Sequence, residues 1–353
     1  MKNKKSILLL PVILALPLYG GPSCNVPQND GGIYKTVDRG GNWKQITTIE
    51  ESKETLAKAD TEQLLVDPNN PEVVFLVTKS NGLYVSNQFG ESWKKILPEA
   101  SAVYGIQGDF NIKGLFYASI LLNDRAKIIK TENGGQDWKE VYTEAGKGNY
   151  VTHVRIDPFF KNSLVAVNSE GLVIRSSDGG NTWQATFPFQ ESVTDITFDP
   201  VNENFVWALT AKGVWLSQDG GVVFNLVELP TDGEMGSVFN LLRKYDNNLF
   251  LATDKGFYQS MDNGKVWRKI IVLNNPTDFP VREFVVFPNN NGGTWAMAAG
   301  MTLYLTADAG QTWKPVQFEI DRYVNAIGIK PNDPSQILVG VESASRGGLG
   351  LGY

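Results

Sequence analysis

The chain has 353 residues, 20% of them charged, with 32 basic against 38 acidic side chains and a net charge of −6. Binding to a phosphate backbone needs concentrated cationic surface, and no basic run stands out, so nucleic acid is excluded as an expected partner. A single histidine and a single cysteine exclude an all-histidine metal site and an internal disulfide, and no cofactor is expected.

The chain opens on Lys2, Lys4 and Lys5, followed by an apolar run over residues 7–18 that Pro11 and Pro17 interrupt. This is the layout of a secretory signal over residues 1–23. The run is too short and proline-broken for a comfortable membrane-crossing helix, with an uncleaved N-terminal anchor as the alternative. Cys24 falls where the signal ends. Its position resembles the lipid-modified cysteine of bacterial lipoproteins: Ser23 suits the site, whereas Gly21 stands where that pattern prefers an aliphatic residue. Either Cys24 carries a lipid, or cleavage nearby leaves a soluble chain with one thiol. Both outcomes place the protein outside the cytoplasm, as a membrane-anchored lipoprotein or free in the periplasm or medium. Removing residues 1–23 takes three lysines and no acid, leaving 29 basic and 38 acidic residues and a net charge of −9.

From residue 31 onward one phrase recurs seven times, most fully as Ser176-Ser177-Asp178-Gly179-Gly180-Asn181-Thr182-Trp183. The pairs five residues apart at its centre are Asp38/Trp43, Gln88/Trp93, Asn133/Trp138, Asp178/Trp183, Asp219/Phe224, Asp262/Trp267 and Asp308/Trp313. A hydroxyl precedes each Asp, Asn or Gln by two residues, and the aromatics are spaced 50, 45, 45, 41, 43 and 46 residues apart. A period in the forties built of short strands implies a radial repeat. The short polar side chain pins a turn, glycine accepts the positive φ that the turn needs, and the aromatic buries apolar area between neighbouring sheets. These residues are therefore read as structural. A calcium site is excluded on ligand count, because each loop offers one carboxylate where six to eight oxygens are wanted.

The unit over residues 151–186 shows the elements in order. Alternation in Val151-Thr152-His153-Val154-Arg155-Ile156 predicts an inner strand, ended by Asp157-Pro158. A second strand runs over 163–167, a third over 172–176, and Trp183 opens a short fourth. Corresponding inner strands begin at Val103, Val193, Val238, Val281 and Val324. Residues 50–60 read as a polar loop or a turn or two of helix. The first motif copy lacks an inner pair of strands before it, and the segment from Val324 to Val341 lacks a motif after it. Together they make one blade. The expected fold is all-β: a single seven-bladed β-propeller over residues 31–342, monomeric, closed by a blade shared between the chain's two ends. Residues 343–353 form a glycine-rich tail.

The phrase resembles the Asp-box, or BNR repeat, of sialidases, sortilin-type receptor domains, some glycoside hydrolases, and the photosystem II assembly/stability factor family with its non-photosynthetic bacterial relatives. The Phe/Tyr-Arg-Ile-Pro phrase of sialidases is missing here, and Val154-Arg155-Ile156-Asp157-Pro158 echoes it only in mid-chain. Xyloglucan-cleaving relatives use two seven-bladed rings, and sortilin-type domains ten blades with a disulfide-rich tail. Seven blades and a lipoprotein-like start resemble the assembly-factor family best. That resemblance implies a non-enzymatic envelope protein that binds or helps assemble a membrane protein complex. The nine arginines are scattered, which argues against the photosynthetic members' basic patch.

Chemistry, if present, is expected in the central channel or on its rim. Strand alternation nominates His153 and Arg155, Asp195 and Thr197, Glu283 and Val285, Gln63 and Leu65, Gly105 and Gln107, Asn240 and Leu242, and Ala326 and Gly328. Asp195 and Glu283, two blades apart, are the candidate catalytic pair, since glycoside hydrolysis needs two carboxylates roughly 5–10 Å apart. His153, Arg155 and Asp195 are the candidate ligand-binding cluster. The alternative function is thus a carbohydrate-binding protein or glycoside hydrolase, which would need exposed aromatics; Trp207, Trp215 and Trp295 lie outside the motif and are the ones to locate. Longer loops over 47–61 and 274–280, and an extended hairpin over 120–127, are candidates for partner recognition.

Overall fold

The computed structural model describes residues 29–97, 99–230, 235–287, 293–318 and 320–344. The expected signal, Cys24 and residues 345–353 of the tail lie outside the described residues.

Seven four-stranded antiparallel sheets make up the fold. Six are consecutive in the chain, with inner strands Thr61–Val66, Ala102–Gly108, Val151–Ile156, Val193–Phe198, Phe239–Tyr245 and Val281–Val286; we number these blades one to six. The seventh takes its two inner strands, Arg322–Ile329 and Ile337–Ser343, from the C-terminal side and its two outer strands, Ile33–Thr36 and Lys44–Ile46, from the N-terminal side. Ile33 pairs with Gly340 and Thr36 with Ile337. Each inner strand touches the next all the way round, and the last touches the first. The shared blade removes the open edges that a linear array of sheets would leave.

Burial follows position in the blade. The second strands, such as Val74–Thr78, Leu164–Asn168, Val206–Thr210 and Trp295–Ala299, are buried at every residue because sheets cover both of their faces. The short fourth strands are largely exposed. Apolar cores lie between neighbouring blades; one joins Phe250 and Phe257 of blade five to Phe284 and Trp295 of blade six.

The repeated loops consume their own polar groups. Ser176 Oγ donates to Asp178 Oδ1 at 2.8 Å and accepts from Gly180 N at 2.8 Å. Asp178 Oδ1 accepts from Thr182 N at 2.9 Å, and Oδ2 from Thr182 Oγ1 at 2.7 Å. These bonds, led by the Thr182 hydroxyl, pull the Asp178 carboxyl down to about 2. Asp38, Asn133, Asp219, Asp262 and Asp308 accept in the same way, from the hydroxyl two residues before and from the backbone N–H four residues on. Gln88 is the exception: its longer side chain makes neither bond, and the Ser86 hydroxyl holds that turn together with backbone bonds such as Glu91 N to Gln88 O at 3.3 Å.

The aromatics of the repeat are less completely buried than the sequence reading expects. Only Trp93 and Phe224 are buried outright. Trp43, Trp138, Trp183, Trp267 and Trp313 are half-buried. Each leads into the fourth strand, the outermost of its blade, so one side of the ring packs on a neighbouring blade while the other meets solvent. Trp43 of blade seven lies edge-on against Phe318 at 5.0 Å. Trp138 of blade two joins the core that contains Phe75 and Ile96 of blade one. Phe224 of blade four packs on Phe187 and Phe189, with ring centres 5.4 and 5.0 Å apart. Trp267 of blade five meets Val227 and Leu229, and Trp313 of blade six lies against Val272 and Trp295.

Their indole nitrogens differ as well. Trp138 donates to Gly135 O at 3.1 Å and Trp267 to Gly264 O at 2.9 Å. Trp183 donates to Gly180 O and to Val141 O of the preceding blade, each at 3.0 Å. The indoles of Trp43, Trp93 and Trp313 find no acceptor among the described residues. The apolar contact with the neighbouring blade is thus the feature common to the seven, and the loop fixes both its own turn and the spacing between blades.

Residues 50–60 form a loop. Thr48 bridges Thr55, Ile49 bridges Trp93, and Leu56 and Ala59 are buried. Among the described residues, no helix is long and apolar enough to cross a membrane.

Candidate functional site

The inner strands carry a register irregularity near their start. In blades three, four and six it falls at Val151/His153, Val193/Asp195 and Val281/Glu283. In blade five it falls at Phe239/Leu241. Leu241 and Arg243 therefore occupy the places of His153 and Arg155, and the expected channel pair Asn240 and Leu242 is displaced by one residue. Leu242 is packed in the core between blades four and five. The displacement has a simple origin: the strand begins at Phe239, and Val238, which alternation placed as its first residue, is half exposed. A one-residue slip exchanges the two faces of a strand.

Arg243 is the residue that the sequence reading missed, and it organises the channel. Its Nε and Nη2 donate to Glu283 Oε1 and Oε2, each at 3.0 Å. Its Nη1 donates to Asp195 Oδ2. Asp195 Oδ1 accepts from Arg155 Nη2 at 3.2 Å and from Ile196 N at 2.9 Å. The four charges alternate as Arg155, Asp195, Arg243, Glu283 across four blades and sum to zero. Burial acts to raise the Asp195 carboxyl, but Arg243 and then Arg155 outweigh it and hold the pKa below the ordinary value. Burial works against the Arg243 cation, and Glu283 and Asp195 more than restore it. A forked guanidinium spanning two carboxylates is a strong and geometrically exacting contact.

His153 lies beside this chain of charges, its Nε2 4.0 Å from Asp195 Oδ1 and its Nδ1 3.0 Å from Thr152 Oγ1. Burial, reinforced by Arg155, lowers its pKa to about 4, so the ring is neutral at pH 7. Tyr245 donates to Phe284 O at 3.2 Å; burial and the Glu283 charge raise its hydroxyl.

Elsewhere around the axis, polar side chains join adjacent blades. Gln63 exchanges two 3.0 Å bonds with the backbone of Ile106, and Asn325 donates to Thr61 O at 2.8 Å. Arg282 lies 3.4 Å from Glu342, which also pairs with Lys79 at 3.1 Å. Between blades two and three, Tyr104 stacks on Tyr150 at 4.8 Å. The structure thus brings His153, Arg155, Asp195 and Glu283 into one cluster, with Arg243 between the two carboxylates.

The three tryptophans outside the repeat are packing residues. Trp207 and Trp295 are buried, the former donating to Asp199 Oδ2 at 3.0 Å. Trp215 donates to Thr210 Oγ1 at 2.9 Å and packs on Phe187 and Phe189. The repeat loops stand apart from the axial cluster, and each carboxylate there is bound within its own loop. The half-buried Trp43, Trp138, Trp183, Trp267 and Trp313 are spread one to a blade along the outer strands, away from Asp195 and Glu283. Of the longer segments, 47–61 is folded down onto the core, and Arg125 in the 120–127 hairpin donates to Glu144 O and Ala145 O.

Fold and axial cluster together define a seven-bladed propeller with a neutral, internally paired channel. No family model matches the chain. By sequence it is similar to a xyloglucanase of Hypocrea jecorina, 26% identical over 255 residues that cover 66% of this chain and 28% of that enzyme. It is also 26% identical over 161 residues to a Paenibacillus xyloglucanase, covering 45% of this chain and 13% of the other. The chain thus spans less than a third of the length of these curated relatives. By structure it is similar to the GH74 xyloglucanase of Xanthomonas campestris, with a TM-score of 0.69 at 14% identity over 81% of this chain and 51% of that one. It is similar as well to YCF48 from Cyanidioschyzon merolae, with a TM-score of 0.60 at 13% identity over 80% and 95% of the two chains. A YCF48 bound to D1 peptide aligns with a TM-score of 0.59 at 16% identity over 80% and 93%. The shared property is the ring: it matches about half of the xyloglucanase and nearly all of YCF48.

Proposed function

We propose that this protein is a non-enzymatic component of the cell envelope, a rigid ring that binds another protein at or in a membrane and supports assembly of a complex. The observation that carries this reading is Arg243 seated between Asp195 and Glu283. A glycosidase needs the sugar between its carboxylates, and it needs one of them held protonated by a raised pKa. Here a guanidinium stands there instead, and Asp195 is shifted the other way. The burial of Trp207 and Trp295 supports the same reading, because an internal indole offers no stacking platform for a sugar.

For the partner contact we favour the end of the ring bearing the repeat loops. The turns after the inner strands of blades two to four present exposed Phe110, Phe159, Phe160 and Val201, and Asn111 Nδ2 ties two of these turns together through Pro158 O at 3.1 Å. The YCF48 solved with a bound peptide is a ring of similar extent.

The xyloglucanase relatives keep a second reading in play, in which the chain binds or cleaves xyloglucan. One experiment separates the two: solubilise native membranes, isolate the protein with its neighbours, and assay the same preparation for reducing ends released from xyloglucan. Recovery of a defined membrane protein, lost in F159A/F160A, with no sugar release, is expected. Xyloglucan cleavage abolished by D195N would replace the scaffold reading with the enzymatic one.

A further inference from the structure

The opposite end of the ring, formed by the connections between blades and the turns between second and third strands, carries an apolar cluster of its own. Leu273 is 81% exposed and Ile271 68%. Beside them, Phe279 and Met301 are also exposed, and Val238 lies on the next connection. The cluster is built into the fold. Phe279 N donates to Asn275 O at 2.8 Å, and Tyr304 Oη donates to Leu273 O at 3.3 Å. Thr277 Oγ1 donates to Asp254 O of blade five at 3.3 Å. The Phe279 ring lies over Gly300, whose φ of 59° and missing side chain admit it; a Cβ there would sit 2.6 Å from the ring. Leu273, Phe279, Met301, Tyr304 and Phe318 wall a cleft of about 420 Å³.

This cluster adjoins the point where the chain enters the ring. Phe318 of the cleft wall packs edge-on against Tyr34 at 5.6 Å, and Tyr34 Oη donates to Asp30 O at 2.9 Å. Asp30 is held in turn by Arg322 Nε at 2.7 Å. Only four residues separate Cys24 from Asn29, a reach of roughly 15–18 Å at full extension. A lipid on Cys24 would therefore hold this end of the ring close to the bilayer surface.

We propose that this end of the ring lies against a phospholipid surface, with Ile271, Leu273, Phe279 and Met301 entering the interface. The inference rests on the reading of the protein as an exported envelope component. The local charges, Asp254, Lys255, Lys269, Asp278 and Asp321, are three acids against two lysines and form no basic cluster, and Arg322 is committed to Asp30 and Asp60. Contact is thus apolar, without the salt and anionic-lipid dependence of a polybasic site. Affinity of a surface-lying face scales with the apolar area it buries, so this face adds its own contribution to whatever lipid Cys24 carries.

The test uses residues 24–353, which include every strand of the ring, with Cys24→Ser so that no acyl chain contributes. Sedimentation with phosphatidylcholine vesicles is measured at low and at high sodium chloride. Binding is expected at both, with I271D/L273D weakening it by about tenfold or more while leaving the thermal transition unchanged, since both side chains are exposed. Failure to sediment at any lipid concentration, equal binding by the double variant, or binding seen only with anionic vesicles at low salt would each overturn the proposal. A chain that ignores vesicles yet still co-purifies with a membrane protein refutes this inference alone and leaves the scaffold reading standing.

Discussion

Arg243 and Glu283 meet as a fork across blades five and six, with two guanidinium nitrogens each 3.0 Å from a separate carboxylate oxygen. The third nitrogen reaches Asp195 in blade four. A single side chain therefore ties three blades together at the axis.

Replacing Arg243 by Met keeps most of the volume and removes the charge. Asp195 and Glu283, whose side chains are 8% and 22% exposed, lose their shared partner. Removing one member of a fully buried pair costs roughly 3–5 kcal/mol, and the partial solvent contact here reduces that to about 2–4 kcal/mol. Urea unfolding of R243M gives the loss. R243M/E283Q is expected to recover part of it, because the charge stranded on Glu283 goes with the arginine while Asp195 keeps Arg155 as its partner.

His153 makes a pH prediction with a defined sign. Its folded pKa of about 4 lies below the ordinary 6.5. Above pH 6.5 both folded and unfolded chains hold it neutral, and it contributes no pH dependence. As pH falls from 6.5 toward 4, only the unfolded chain takes up the proton, so stability declines through that window and levels off below it. The decline is on the order of 3 kcal/mol. As the only histidine, its ring proton resonance is directly assignable. A midpoint near 4, and a flatter stability profile in His153→Gln, are expected; a midpoint near 6.5 would show the ring to be solvated.

The number of blades, their order and the shared closing blade were legible because they depend on a spacing repeated seven times. The axial cluster was only half legible. His153, Arg155, Asp195 and Glu283 follow from alternation along strands that start at a buried valine, but blade five starts at Phe239 and the slip at Phe239/Leu241 moves Arg243 into the channel. Alignment on the turn with Asn248 would have exposed it, since Tyr245 pairs there and counts back to Arg243. The positions of the repeat aromatics were legible from their period, but their degree of burial was not. It depends on the neighbouring blade: the loop over 47–61 covers Trp93, whereas Trp138 and Trp267 have no such cover and keep one side in solvent. The Leu273 and Phe279 cluster was legible only as a long loop, because connections have no period and their conformation depends on contacts such as Phe279 with Gly300.

Blade one offers a gain-of-stability test of the loop argument. Ser86 Oγ accepts from Gly90 N at 2.9 Å as in the other copies, but Gln88 makes none of the side-chain bonds that Asp178 makes. Gln88→Asp should let a carboxylate accept from the backbone of residue 92 and raise the Tm by about 1–2 °C. Differential scanning calorimetry detects a change of that size. Asp178→Ala in blade three, which removes the acceptor altogether, should move the Tm the other way, and a drop in both variants would argue against a side-chain oxygen at this position as the pin.

Ring closure has its own single-residue test at Gly340. This glycine pairs with Ile33 across the seam between the two ends of the chain and faces Thr61 of blade one. A Cβ at 340 would lie 2.7 Å from Thr61 Cβ and would collide with its methyl group. Thr61 is fully buried, so the inner strand of blade one cannot yield without moving the core behind it. Gly340→Ala should cost about 2–3 kcal/mol by overpacking. Thr61→Ala in the same chain should return part of that, because it removes the methyl and hydroxyl while leaving Cβ in place. If the double variant unfolds no later than Gly340→Ala alone, the loss does not come from this contact. The closeness of blades seven and one would then have to be maintained by Asn325 and Arg322, whose bonds to Thr61 O and Asp60 cross the same seam.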